Sequence, residues 1–177
     1  MINPDRLVNT FLDLVRIDSP SGQEAIIGRE LQARLTALGL AAGIDEHGNV
    51  IARLDGDGVN WLLLSAHMDT VGQDTGIQPI IRDGVISSDG TTILGGDDKS
   101  GVAAILETIA VLQEQRLSHP PLEVVITVGE EVGLLGAKLV DKSILRAKQG
   151  IVMDAGGPIG HIVILSLIHI CAIAPRV

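Results

Sequence analysis

Four places in this chain put ionisable side chains directly after apolar runs. The run from Trp61 to Ala66 leads into His67-Met68-Asp69, and a glycine-rich loop delivers Asp97-Asp98-Lys99 onto a helix-forming stretch. Leu122 to Val128 leads into Gly129-Glu130-Glu131, and Gly150 to Met153 leads into Asp154. Residues i and i+2 of an extended chain point the same way. Asp69 can therefore hold one ring nitrogen of His67 and leave the other free as a ligand, an arrangement that recurs at zinc. Taken alone, this His-X-Asp reads better as a capped strand end. Of Asp97 and Asp98, one suffices to cap the following helix, which leaves the second without a structural task. Glu130 and Glu131 project in different directions, so one can bind a metal while the other handles protons. A solvated loop accounts for that pair equally well, and Asp154 alone reads as a turn.

The combination says more than its members. If a sheet brings these ends together, His67 meets five carboxylates, those of Asp69, Asp97, Glu130, Glu131 and Asp154. Like charges in a partly dry cleft raise one another's pKa or require a counter-charge. Lys99, the cation nearby in sequence, is too little. One or two divalent metals would resolve the conflict, and mixed His and carboxylate ligands suit zinc, with manganese or cobalt as substitutes.

The elements that must position these groups follow from periodicity. Residues 4–16 place Leu7, Phe11, Leu12 and Val15 at helical spacing behind Pro4, and residues 23–38 form a second amphipathic helix ending near Gly39. Residues 49–54 and 61–66 read as strands, and a hairpin is expected at Ile80–Ile86. Residues 100–115 form the strongest helix, followed by a strand at 122–128, a helix near 134–148 and a strand at 150–153. Strands alternating with helices predict an α/β domain with a mostly parallel sheet flanked by helices, and functional groups of such sheets collect past the carboxyl ends of the strands.

Composition narrows the function classes. The chain has 177 residues, with 13 Lys and Arg against 22 Asp and Glu, a formal net charge of −9. This acidity argues against nucleic acid, which needs a cationic footprint. Tyr is absent, and Phe11 and Trp61 are the only aromatics, so no base-stacking platform is expected. Aspartates in the glycine-rich loop, and the lack of a G-x-G-x-x-G or P-loop spacing, exclude a phosphate cradle. One cysteine, Cys171, cannot make an internal disulfide, which fits a reducing cytoplasmic setting. The start shows no basic segment and no signal peptide. Residues 155–175 lack charged side chains, but Gly156-Gly157-Pro158 and two histidines interrupt them. The remaining apolar run is too short to span a membrane.

The segments SAHMDTV, SDGTTILGGDDKSGVAAILE, TVGEEVGLLGAK and VMDAGGPIG, in this order and spacing, resemble the co-catalytic zinc peptidase family. That family includes peptidase T, carboxypeptidase G and succinyl-diaminopimelate desuccinylase. Ser19-Pro20-Ser21-Gly22-Gln23-Glu24 and the Ser-Asp-Gly-Thr-Thr motif point to its peptidase T branch, the tripeptide aminopeptidases, over residues 3–164. The resemblance implies a first zinc on His67 and Asp154, Asp69 orienting His67 from behind, and Asp97 bridging two metals. It also implies Glu131 on the second zinc and Glu130 as general base. The implied reaction is metal-assisted hydrolysis of the peptide bond in short peptides, Glu130 taking a proton from water and returning it to the leaving amine.

Family members interrupt the catalytic domain with a lid or dimerisation domain, and the second zinc's histidine comes from the part that resumes. Residues 1–158 correspond to the N-terminal part of the catalytic domain and residues 159–164 to entry into the lid. His47, His119, His161 and His169 match no family motif. Leu165 to Ile170 resembles a translated sequencing-adapter end, so residues 165–177 are expected not to be native. The chain is thus expected to be an incomplete, inactive portion, with a homodimer possible only through the lid. Two alternatives stay open: a deacylase or carboxypeptidase of the same family, and a non-catalytic metal-binding domain.

Overall fold

The computed structural model describes residues 1–156 and 162–163. The expected lid entry at 159–164, apart from residues 162 and 163, and the tail at 165–177 lie outside them.

Helix α1 (Pro4–Val15) starts where Asn3 Oδ1 accepts the Arg6 N–H and Pro4 occupies the first turn. Helix α2 (Ala25–Ala37) ends at Leu38 and Gly39. Strands β1 (Ala41–Ile44), β2 (Val50–Leu54) and β3 (Leu62–His67) follow. The short hairpin β4 (Pro79–Arg82) and β5 (Val85–Ser88) turns through Asp83-Gly84, both at positive φ. That is the two-residue turn whose twist matches antiparallel strands. Helix α3 (Gly96–Gln115) takes regular helical geometry only after Asp98, as the expected start near Ser100 requires. Strand β6 (Leu122–Thr127), helix α4 (Leu135–Leu139) and strand β7 (Gln149–Val152) complete the described elements.

The main sheet has the order β1-β2-β6-β3-β7. β3 runs parallel to β6 and to β7, whereas β1 with β2 and β2 with β6 are antiparallel. The α/β class holds, but the sheet is mixed. Its antiparallel half is β1 and β2: β2 runs against β6, and β1, four mostly small residues, is not announced in sequence. The helix expected near 134–148 is cut short: Val140 turns extended after α4, and Asp141 caps a single 3-10 turn by accepting the Ser143 N–H.

One face of the sheet carries the core. The registered row Ala52, Val124 and Leu64, with Val50, Ile126 and Ala66 beside it, packs against Leu14, Ile27, Leu31, Leu35, Val102 and Ile109 of the three long helices. On the opposite face Glu123 is wholly buried. It accepts from Arg53 Nε at 2.9 Å and from the N–H groups of Arg146 and Ala147, so the segment before β7 is tied down. Because β3, β6 and β7 are parallel, the residues following each emerge at the same end of the sheet.

Candidate metal centre

His67 is the last residue of β3, paired in register with Thr127 of β6. The ring is 2 % exposed. Its Nδ1 lies 3.0 Å from the Asp69 carbonyl oxygen and 3.3 Å from Asp69 Oδ1. Both neighbours are acceptors, so Nδ1 carries a proton, and Nε2 is the nitrogen turned toward the other carboxylates. Nε2 faces Asp97 Oδ1 at 3.0 Å and Glu130 Oε2 at 4.0 Å. His67, Asp97 and Asp154 bring ligand atoms within 4.8 Å of one another, and so do His67, Glu130 and Glu131. The six side chains singled out in the sequence therefore meet in one place, with Asp69 behind the imidazole.

Burial opposes charge on His67, but the hydrogen bonds to Asp69 and Asp97 outweigh it and raise its pKa to about 9. Burial likewise opposes ionisation of Asp69. The bonds from His67, Ser21 and the N–H groups of Glu130 and Glu131 win there, and its pKa falls to about 2. Glu131 is pushed up by burial and by Asp97, and Asp154 by burial, with Asp97 and Glu130 adding to it. Carboxylates raised by one another around a neutral-capable nitrogen are a donor set that a divalent cation stabilises. The residues present fit zinc, manganese or cobalt.

Two acidic neighbours divide their work. Asp97 projects into solvent, its side chain 68 % exposed, while Asp98 is buried. Asp98 Oδ1 accepts the Gly101 N–H at 3.1 Å, an N-terminal cap for α3, and burial raises its pKa to about 7. The cap is thus Asp98, which frees Asp97 for the cluster. The Asp97–Asp98 peptide is cis. Lys99 does not face the acids at all. It is fully buried, and its Nζ donates to the Ile17 carbonyl at 2.8 Å.

Among the described residues, the other histidines stand apart. His119 Nδ1 sits 2.8 Å from the Pro120 carbonyl at the opposite end of β6. His47 lies in the β1–β2 turn, 3.6 Å from Glu46. His161 and His169 fall outside the described residues. Sequence reasoning missed the loop before α2 as a contributor. Ser21 Oγ donates to Asp69 Oδ2 at 2.6 Å, and Glu24 Oε1 accepts the Gly129 N–H at 3.0 Å. Its signal was the run Ser19 to Glu24, which carries part of the family resemblance but no ligand pattern of its own.

A cleft of about 700 Å³ passes behind the Glu130 loop, between Glu24, Ile44, Val132 and Leu135, and no ligand-type residue of the cluster lines it. No helix among the described residues is long and apolar enough to cross a membrane.

Known proteins resemble this chain in sequence and in fold. The chain is 40 % identical over 173 residues to the protein YqjE of Bacillus subtilis, covering 93 % of this chain and 47 % of that one. A tripeptidase from Staphylococcus aureus superposes with a TM-score of 0.86 at 45 % identity, over 89 % of this chain and 45 % of its own. The aminopeptidase PepT of Bacillus cereus gives 0.85 at 45 % identity, over 88 % and 44 %. The chain thus spans about half the length of the relatives it matches. The resemblance expected from the four motifs holds, and since the pattern of Peptidase family M28 matches residues 49–164, the chain belongs to that family.

Proposed function

We propose that the whole protein is a metallo-aminopeptidase that hydrolyses short peptides, using two divalent ions, zinc with manganese or cobalt as substitutes. The observation that supports this reading best is the convergence of His67, Asp97, Glu130, Glu131 and Asp154 from four separate chain segments. The tripeptidase and aminopeptidase activities of the two structural relatives support the substrate class.

In this reading His67 Nε2, Asp97 and Asp154 hold one ion, and Asp97 with Glu131 begins the second. A divalent ion there supplies a Lewis acid for the scissile carbonyl and makes water a better nucleophile. Glu130, with Oε2 4.0 Å from His67 Nε2, takes a proton from the attacking water. It delivers that proton to the departing amine nitrogen as the C–N bond breaks. Asp69 keeps the imidazole in the tautomer that turns Nε2 outward.

Residues 1–158 form the N-terminal part of the catalytic domain and 159–164 the entry to a lid, with residues 165–177 not native. The remaining ligand of the second ion, and any homodimer contact, belong to the length present in relatives. Residues 1–164 carry no cysteine, which fits the cytoplasmic setting of this reading.

The test is the protein expressed at the length of its relatives, loaded with zinc, and offered tripeptides beside N-acyl amino acids. Tripeptides should be cleaved. Glu130→Ala should lower kcat by about 10²- to 10⁴-fold with metal content unchanged. Normal turnover by Glu130→Ala would defeat the base assignment, and cleavage of N-acyl amino acids alone would defeat the peptidase reading.

A further inference from the structure

The loop between α1 and α2 directs three polar side chains at two of the four segments that carry the cluster. Ser19, 1 % exposed, donates from Oγ to the Met68 carbonyl at 2.9 Å, and its own carbonyl accepts the Thr70 N–H at 2.9 Å. Ser21 reaches Asp69, whose carboxylate also accepts the N–H groups of Glu130 at 3.0 Å and Glu131 at 3.2 Å. Glu24 accepts the N–H of Gly129, the residue that leads into Glu130.

An ordinary helix cap does not explain Glu24. It occupies the N-cap position of α2, yet its side chain makes no bond to that helix. A carboxylate only 7 % exposed is costly to bury, and here it is used more than a hundred residues away in the chain, on the loop bearing two acids. Ser21 is similarly placed: its hydroxyl could face water, but it sits on the oxygen of Asp69 that also holds Glu131.

We propose that Ser21 and Glu24 are positioning residues of the metal centre, acting through Asp69 and Gly129 to hold His67, Glu130 and Glu131 in ligand geometry. This rests on the metal reading above. Neither residue touches the ions. Ser21 occupies Asp69 Oδ2 and so fixes the orientation of that carboxylate behind the ring. Glu24 fixes the entry angle of the Gly129 turn, where φ is +58° and a methyl group would come 3.2 Å from Leu135 Cβ. Partners of this kind typically change metal affinity by 10- to 100-fold.

The experiment titrates Co²⁺ into the protein at the length of its relatives and into its Ser21→Ala, Ser21→Thr, Glu24→Ala and Glu24→Gln variants, reading affinity and the visible absorption of the bound ion. Circular dichroism on the metal-free proteins reports folding separately. Ser21→Ala and Glu24→Ala should bind about tenfold or more weakly, with altered absorption bands. Ser21→Thr, which keeps the hydroxyl, and Glu24→Gln, which keeps an acceptor oxygen, should recover most of the loss. If Glu24→Ala does not fold, the smaller Ser21→Ala change decides. Isotherms and spectra that superimpose on the parent overturn the positioning role while leaving the metal reading intact. A folded parent protein of that length that binds no Co²⁺ overturns the metal reading, and the positioning role with it.

Discussion

Asp69 Oδ1 accepts the main-chain N–H of Glu130 at 3.0 Å. One carboxylate thereby joins the end of β3 to the loop after β6, orienting His67 on one side and the Glu130-Glu131 pair on the other.

Asp69→Asn tests that dependence. An amide has one acceptor oxygen and presents an NH₂ group where Asp69 now meets donors only. Apparent affinity for Zn²⁺ should fall by about 10- to 100-fold, measured by competition with a chromogenic chelator. Undiminished affinity would show that the carboxylate is not needed to orient His67.

Gly136 allows α4 to sit against the end of β6. A Cβ there would overlap Asn49 Oδ1 and lie 2.6 Å from the Val128 carbonyl oxygen. Asn49 Oδ1 also accepts the Val128 N–H. Gly136→Ala should therefore cost about 1–3 kcal/mol in urea unfolding. A stability equal to the parent would mean that α4 can move off the strand without loss.

Acid sensitivity should come partly from α3. Glu107 takes Arg6 Nε at 2.6 Å and the Asn3 N–H at 2.7 Å. The Arg6 bond lowers its pKa, with burial opposing. A folded pKa below the unfolded one means stability present above the unfolded pKa and lost as pH falls through the folded value. Glu107→Gln should thus melt a few degrees lower near neutrality, and the gap should close as pH falls from the ordinary glutamate value of 4.5 through the lower folded one. A gap independent of pH would assign the effect to packing.

Much of the architecture is legible from short stretches of residues. Pro4 behind Asn3, the apolar spacing of Leu7 to Val15, Asp83-Gly84 between alternating residues, and the run Leu122 to Thr127 each state their element through preferences acting over a few bonds. The chemical types at the ends of β3, β6 and β7 are equally plain, so the cluster could be anticipated once those strands were taken as neighbours.

The assignments within the cluster could not be read this way. Adjacent Asp97 and Asp98 look alike in a string of letters. One caps α3 and the other faces His67 because of where the end of β3 lies. Lys99 is turned from the acids by a carbonyl of residue 17, and Ser21 and Glu24 find partners 48 and 105 positions away. Local preference sets what a segment becomes, since its hydrogen bonds close within a turn or along a strand. Which polar atom answers which across such distances depends on packing of the whole sheet, because a buried donor or acceptor must be matched by whatever the fold brings beside it.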